Sequence, residues 1–119
     1  MRKLVAGLFL SLDGVTEAPN EWQFDHFDVG MISAMQAHLA NEDTILLGRV
    51  TYQEWAGYWP TARGDPYGDH INNVQKYVVS STLKNVEWGT LGKIDLLKSN
   101  LPQEIARLQQ QPGKNIGVN

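Results

Sequence analysis

The stretch TILLGRVTY, from Thr44 to Tyr52, decides the fold that this sequence predicts. Its first half is a short apolar run that ends at Gly48 and is typical of a buried β-strand. Its second half leads into a helical pattern over residues 50–55, which ends near Gly57. A strand that runs directly into a helix is typical of open α/β sheets, whose ligands bind at the carboxyl ends of the strands.

The rest of the chain repeats this alternation. We expect strands over residues 3–12, 44–48, 76–80 and 116–118, and helices over residues 29–40, 50–55 and 101–110. Residues 60–69 are predicted as a surface loop, and residues 86–97 as an extended segment that is interrupted at Gly89 and Gly92. The order β-α-β-α-β-α-β predicts an α/β fold with a layered, mostly parallel sheet flanked by helices, in a single domain over residues 1–119.

Composition narrows the class of protein. The chain has 119 residues and a net charge of −3, which argues against nucleic-acid binding because such proteins normally carry a basic face. Its apolar runs are shorter than the roughly 20 residues that cross a bilayer, so we expect no membrane partner. The start of the chain lacks a signal-peptide cleavage site. The sequence has no cysteine, which excludes disulfides and thiolate sites, and the cytoplasm is the expected location.

The junction at Gly48 has the residue types of a phosphate site. Gly48 lets a ligand approach the backbone, and the helix that follows offers free N–H groups and a partial positive charge. Arg49 adds a charged fork that suits phosphate, and Thr51 adds a hydroxyl. The alternative is a tight strand–helix turn with a solvated arginine.

A second strand end carries three consecutive hydroxyls, Ser80, Ser81 and Thr82. If the two strands are adjacent, these hydroxyls lie near Arg49. One arginine with two or three hydroxyls is a plausible pocket for a phosphomonoester such as the 2′-phosphate of NADP. The alternative is an ordinary polar turn, in which serine and threonine are common.

Taken together and in order, these motifs resemble those of the dihydrofolate reductase superfamily. Residues 46–52 and 78–81 resemble its paired NADPH-binding motifs, and the turn SLDG at residues 11–14 resembles the reductase domain of the riboflavin-biosynthesis deaminase–reductase. The resemblance runs along the whole chain and implies NADPH as cofactor and a pteridine- or pyrimidine-like substrate that accepts hydride. The implied cofactor-binding residues are Gly48, Arg49, Val50, Thr51, Ser80, Ser81 and Thr82.

The same resemblance places the nicotinamide and the substrate beside the end of the first strand. The candidate lining residues there are Leu8, Leu10, Asp13, Gly14, Val15, Trp22 and Phe24. Asp13 is a candidate acid or merely a turn residue, and the turn is favoured. Trp22 is a candidate for stacking on a ring or for covering the core. Ile32 stands where true dihydrofolate reductases carry an acid, which argues against dihydrofolate as the substrate.

Two other groups of residues are weaker candidates. The three histidines, His26, His38 and His70, are scattered in the sequence without clustered acids, so we expect no metal site. His38 is most simply a solvated helix residue. The aromatic residues that follow the first phosphate motif, Trp55, Tyr58 and Trp59, favour packing in the core or in a dimer over contact with a ligand.

The resemblance implies a domain that continues beyond this chain, which would be its amino-terminal portion and incomplete without a carboxy-terminal segment. A strand at residues 116–118 would then leave unpaired backbone and exposed apolar surface. Glycine is the residue expected after Asn119, and Asn-Gly bonds are labile because the asparagine amide nitrogen can attack its own carbonyl carbon. Self-cleavage after Asn119 is therefore one hypothesis, beside a truncated chain or proteolysis, and it predicts a bound carboxy-terminal fragment.

Three functions fit the sequence. The first is an NADPH-dependent reductase, which we expect to form a homodimer. The second is a dinucleotide-binding protein of the same fold without catalysis, and the third is a scaffold whose aromatic loop makes an interface. Binding of NADPH in preference to NADH separates the first two from the third.

Overall fold

The computed structural model describes residues 1–23, 25 and 27–119. Its strands are β1 (Leu4–Ala6), β2 (Glu42–Gly48), β3 (Gln75–Val79), β4 (Ile94–Leu97) and β5 (Asn115–Val118). Its helices are α1 (Val29–Ala40), α2 (Arg49–Ala56), α3 (Pro66–Asn73) and α4 (Leu101–Gln110), and short 3-10 turns cover Pro19–Glu21 and Trp59–Thr61. Helices α1 and α4 have the bounds that the sequence predicts.

All described strand pairs are parallel, in the order β1-β5-β2-β3-β4. This confirms the predicted α/β class, with a parallel sheet and flanking helices. β2 lies at the centre, paired with β5 on one side and β3 on the other. Parallel strands need crossover connections, and helices α2 and α3 supply the one between β2 and β3.

The centre of the sheet is buried on both faces. Ile45 and Leu47 point to one side, where they pack with Ile71 and Trp88. Leu46 points to the other side and packs with Leu108 of α4 and Ile116 of β5. A strand that is buried on both faces reads as a continuous apolar run, which is why the sequence shows it so clearly.

The sequence predicts that the aromatic residues after the first phosphate motif pack in the core or in a dimer, and core packing is borne out for two of the three. Trp55 and Trp59 pack against the core beside Tyr67, and the rings of Trp59 and Tyr67 have centroids 5.5 Å apart. Tyr58 is exposed and contacts only the edge of the cluster, through Trp59. Gly68 is required in α3 because a Cβ there would lie 2.9 Å from the Trp59 ring.

A lysine is buried in the core. The Lys76 side chain is 0% exposed, and its Nζ donates to the carbonyls of Ile71 and Val74 at 2.9 and 2.8 Å. The ammonium also lies 4.9 Å from the Trp88 ring centroid. Burial, with the positive charge of Lys93, lowers the pKa of Lys76 to about 8. The side chain thus satisfies carbonyls at the end of α3 and covers the indole.

A buried carboxylate lies at the start of β2. Oxygens of Glu42 lie 2.9 Å from Nε2 of His70 and 3.2 Å from Nε2 of His38. His38 lies on α1 as predicted and its side chain is 38% exposed, but its Nε2 also contacts this carboxylate, which is 2% exposed and lies four residues along the chain. The carboxylate also lies against Gly117, where a Cβ would overlap it. Burial, together with the charges of Glu42 and Asp65, raises the pKa of Tyr67 to about 12.

Arg2 ties both chain ends to the sheet. Its guanidinium pairs with Asp43 and donates to the hydroxyl of Thr44 at 2.7 Å and to the carbonyl of Lys114 at 2.8 Å. Together with hydrogen bonds from Thr44 and from the backbone of Lys114, this contact lowers the pKa of Asp43 against the opposing effect of its burial.

The first predicted strand is much shorter in the structure. β1 ends at Ala6, and the side chains of Leu8, Leu10 and Leu12 are exposed rather than buried. The chain leaves the sheet edge there and turns back at residues 11–15, where Ser11 N donates to the carbonyl of Val15 at 3.0 Å. Apolar composition therefore overstated both the length and the burial of this strand.

Two other segments differ from the prediction. Residues 60–69 are not only a loop, because Asp65 caps α3 by accepting from Tyr67 N at 2.9 Å and Pro66 opens the helix. In residues 86–97 only β4 is extended, because Gly89 and Gly92 turn the chain with positive φ angles of 55° and 72°. The simple β-α alternation is therefore wrong at this point, and α3 and β4 are added to it.

The predicted unpaired backbone is not at β5, because β5 pairs with β1 and β2. The exposed apolar surface lies instead around β1 and α1. β1 is an edge strand, and no residue of α1 is fully buried among those described. Met35 and Leu39 are half-buried, whereas Val29, Met31 and Ile32 are exposed.

In the part of the chain that the structure describes, no helix has both the length and the apolar character needed to span a membrane.

Because the folded chain releases the Lys76 proton above about pH 8 and an unfolded lysine holds its proton to about pH 10.5, the unfolded state binds more protons between these values. The free energy of unfolding should therefore rise with pH, by about 1–3 kcal/mol between pH 8 and pH 10. Urea unfolding at several pH values between 8 and 10 measures this change in the free energy of unfolding. Lys76→Met, which keeps the volume beside Trp88, should remove the rise, and an equal rise in the variant would contradict the assignment.

Candidate functional site

The candidate site is the edge at which β2 and β3 end side by side. Gly48 is the register partner of Val79, the last residue of β3. The residues that follow, Arg49 and Ser80, therefore start from adjacent backbone positions at the same edge. This is the adjacency on which the prediction of a shared phosphate pocket depends.

Helix α2 begins at this edge without a capping side chain. Its N-cap is Gly48, whereas Asp28 and Asp65 cap α1 and α3 with side-chain oxygens. A Cβ at Gly48 would meet no atom within 4 Å, so the space in front of the helix is open. The first N–H groups of α2, on Arg49, Val50 and Thr51, are therefore available to a ligand, and the helix dipole favours an anion there.

The Arg49 side chain is exposed and held on its own helix. Its Nη1 donates to Oε1 of Gln53 at 3.1 Å, an exposed contact one turn along. Sequence reasoning did not anticipate Gln53. Such an exposed hydrogen bond is weak and readily exchanged for a charged acceptor.

Ser80 has a structural task of its own. It is buried, and its Oγ accepts from the backbone N–H groups of Thr82 and Leu83, both at 3.2 Å. Its own N–H donates to the carbonyl of Leu97 at 3.1 Å. The Ser80 hydroxyl therefore shapes the turn, while Ser81 and Thr82 are exposed at its tip.

An apolar cavity of about 280 Å³ lies at the same strand ends. Leu46, Gly48, Val79 and Val118 line it from the sheet, and α4 contributes Leu101 and Ile105. The sequence predicts the helix at residues 101–110 but gives no sign that its apolar residues line a cavity at these strand ends. One feature of the sequence could have indicated the cavity: Leu101 is an apolar residue in the first turn of its helix, and such a first turn lies near the strand ends where ligands bind.

The loop after β1 forms a second, larger cavity of about 610 Å³. Four of the seven predicted lining residues line this cavity. Leu8 and Gly14 do not, and Phe24 lies outside the described residues. Phe9 and Met31 also contribute, and the latter brings α1 to this wall. The four predicted residues that line it are Leu10, Asp13, Val15 and Trp22.

Asp13 and Trp22 are both engaged within this loop. Ser11 donates its hydroxyl proton to the Asp13 carboxylate at 2.5 Å, in the turn that Gly14 closes with a φ of 93°. Trp22 donates its indole N–H to the carbonyl of Glu17 at 3.1 Å and lines the cavity. The contacts of Asp13 are those of a turn residue, which the sequence favoured.

The histidines come closer together than their sequence positions indicate. His38 and His70 share Glu42, and His26 lies outside the described residues. Within the described ranges, no group of three or more histidine, aspartate or glutamate residues has the geometry to hold a metal ion. The Glu42 cluster lies at the amino-terminal edge of the sheet, away from the ends of β2 and β3.

Comparison with known proteins adds two findings. Residues 2–118 match the family model described as the RibD C-terminal domain. The chain is also 28% identical, over 123 aligned residues, to the uncharacterized protein YyaP of Bacillus subtilis (strain 168). That alignment covers 97% of this chain and 61% of the relative, so the chain spans about three fifths of the length of the curated relative that it matches.

Proposed function

The chain belongs to the RibD C-terminal domain family, and from this premise we propose that it carries the cofactor-binding part of an NADPH-dependent reductase. The observation that carries the proposal is the pairing of Gly48 with Val79. It brings an uncapped helix terminus, an exposed arginine and a hydroxyl-bearing turn to one edge of the sheet.

In this proposal the backbone at Gly48 and the first N–H groups of α2 bind the cofactor pyrophosphate. The open space at Gly48 supports this assignment, since a Cβ there would meet no atom within 4 Å and a phosphate can approach the backbone. Val50 contributes through its N–H group, and Thr51 contributes its N–H and hydroxyl groups. The dipole of α2 adds a favourable interaction with the negative charge.

The 2′-phosphate of NADPH would bind between Arg49 and the turn that follows β3. Arg49 would leave Gln53 for the phosphate, because an ionic acceptor forms the stronger hydrogen bond. Ser81 and Thr82 are exposed and available as donors, while Ser80 holds their backbone in place. Ser80 is thus a supporting residue in the proposed pocket rather than a principal donor.

The substrate in this proposal is a pteridine- or pyrimidine-like ring in the cavity beside β1. NADPH, when bound, supplies the hydride that is added to this ring. Trp22 offers a flat apolar surface for stacking, and Leu10 and Met31 exclude water from the ring. Asp13 is an acid among the described residues that line this cavity.

A second candidate function is a dinucleotide-binding protein without catalysis. The observation that favours it is the hydrogen bond from Ser11 to Asp13, which uses the carboxylate in a turn. Ile32, at the place of the acid in dihydrofolate reductases, carries no proton to donate. This function keeps the same cofactor site and differs only at the substrate cavity.

For the partners, we propose that further polypeptide of the same protein covers the apolar surface around β1 and α1. Supporting this, β1 pairs only with β5 among the described strands, and most exposed large apolar side chains of the described chain come from residues 1–32. A free strand edge beside apolar side chains favours pairing with another strand. The covering chain is a carboxy-terminal segment in this proposal, and a homodimer is the further expectation.

Arg49→Ala should weaken NADPH far more than NADH, because only NADPH carries the 2′-phosphate. The loss of one charge-assisted contact should cost about 1.5–3 kcal/mol, a roughly 10- to 150-fold rise in the Kd for NADPH. Quenching of tryptophan fluorescence measures both affinities. Arg107→Ala is the matched control, since Arg107 is exposed and pairs on its own helix with Glu104 at 2.9 Å. Equal losses for the two cofactors would refute the assignment of Arg49.

Oxidation of NADPH separates the two candidate functions. With dihydrofolate or a pyrimidine offered as acceptor, the reductase should consume NADPH. Trp22→Ala should slow this turnover far more than it raises the Kd for NADPH, because the proposed phosphate contacts lie at the ends of β2 and β3. The binding protein should show the same Kd and no turnover with either acceptor. A Trp22→Ala variant whose NADPH affinity falls as much as its turnover would contradict the assignment of Trp22 to the substrate.

Self-cleavage after Asn119 stays a prediction, and it would explain how the proposed carboxy-terminal segment becomes a separate polypeptide. If the gene encodes a glycine and further residues after Asn119, self-cleavage predicts a product that ends at Asn119 and a second polypeptide that co-purifies with it. Asn119→Ala should stay uncut, because the side-chain nitrogen that attacks the backbone carbonyl is gone. Intact mass after prolonged incubation measures this, and equal cleavage of the variant would rule the mechanism out.

A further inference from the structure

The hydroxyl of Tyr52 makes hydrogen bonds that have no part in the proposed cofactor site described above. It stands in the last part of the stretch TILLGRVTY, on α2, three residues after Arg49. Its hydroxyl donates to the carbonyl of Glu87 at 3.1 Å and accepts from the N–H of the same residue at 2.8 Å. The hydroxyl therefore holds the backbone of one residue, 35 positions away, at two points.

The partner of this clamp lies at the far end of the segment that carries the proposed phosphate hydroxyls. This segment, residues 80–87, begins at Ser80, which is fixed to β4 through Leu97 and closes its own turn onto Leu83. It ends at Glu87, just before the buried Trp88. Between these anchors the segment has exposed Ser81 and Thr82 at its tip.

Tyr52 thus joins the two sides of the proposed 2′-phosphate pocket. One side is α2, which presents Arg49, and the other is the segment 80–87. The anchors at Ser80 and Trp88 attach that segment to the sheet and to the core, whereas the Tyr52 clamp attaches it directly to α2. A pocket made from two separate elements is selective only if their separation is fixed, because a mislocated donor loses its hydrogen bond.

From this geometry we infer that Tyr52 is a positioning residue that fixes the distance between Arg49 and the segment 80–87 and so sets the preference for NADPH over NADH. The inference rests on the proposed function, since it concerns the same phosphate pocket. Tyr52 itself contacts no phosphate in this scheme. Its ring packs against the core cluster of Ile45 and Leu47, and its hydroxyl alone makes the clamp.

Tyr52→Phe tests the inference, because it keeps the ring and removes the hydroxyl. The Kd for NADPH should rise by about three- to tenfold, because binding must then fix the separation that the clamp no longer holds, at a cost limited by the one or two neutral hydrogen bonds lost. The Kd for NADH should change by less than about twofold. Hydrogen exchange at the Glu87 amide should accelerate, since this N–H loses its acceptor.

Two variants serve as matched controls. Tyr58→Phe removes a hydroxyl from an exposed tyrosine just beyond α2, and Glu87→Ala keeps the backbone groups that Tyr52 holds while removing the side chain. Both should keep the cofactor preference and the slow exchange at residue 87. If Glu87→Ala alters them as Tyr52→Phe does, the side chain rather than the clamp is responsible and the inference is overturned.

The outcomes separate this inference from the proposed function. If the wild-type chain prefers NADPH and Tyr52→Phe keeps the full preference, the positioning role is wrong and the cofactor site stands. If the wild-type chain does not distinguish NADPH from NADH, the proposed phosphate pocket is wrong. Unchanged exchange at the Glu87 amide in Tyr52→Phe overturns the clamp in either case.

Discussion

The structure depends on the parallel pairing of β2 with β3 through a doubly buried core. Ile45 and Leu47 pack on one face of β2 and Leu46 on the other, so the strand cannot shift its register without exposing one apolar set. This fixed register places Gly48 opposite Val79. Because parallel strands end at the same edge, everything that follows these two residues is brought together there.

The two edges of the sheet have different chemistry. At the amino-terminal edge, three charged side chains are buried and have partners: Arg2 contacts Asp43, Glu42 contacts two histidines, and Lys76 donates to carbonyls at the end of α3. Burying a charge is costly unless it is paired, so these contacts are needed for the fold. At the carboxyl edge, an uncapped helix, an exposed arginine and exposed hydroxyls keep binding capacity. Stability and the proposed binding are thus assigned to opposite ends of the same strands.

The apolar surface around β1 and α1 connects the fold with the proposed partner. The sequence predicts residues 3–12 as a buried strand, and they have the composition of one. In the described chain only Leu4–Ala6 pair, and the leucines that follow are exposed around the larger cavity. Burying several such side chains would stabilise a complex by roughly 1.5–3 kcal/mol each, which is the physical basis for expecting a covering segment.

The sequence by itself determined the elements whose signals are local. The apolar run of β2, the helical periodicity of α1 and α4, and the junction at Gly48 are set by neighbouring residues, and the α/β class follows from their order. The start of α3 also has a local signal, Asp65 followed by Pro66, but these residues were predicted to belong to a loop. Only the tertiary structure decided what depends on distant residues. It brought Glu42 to His70, buried Lys76 under Trp88, and closed the Tyr52 clamp on Glu87. These contacts join residues that are far apart in the chain, and their geometry follows from the strand order and register, which no local pattern encodes.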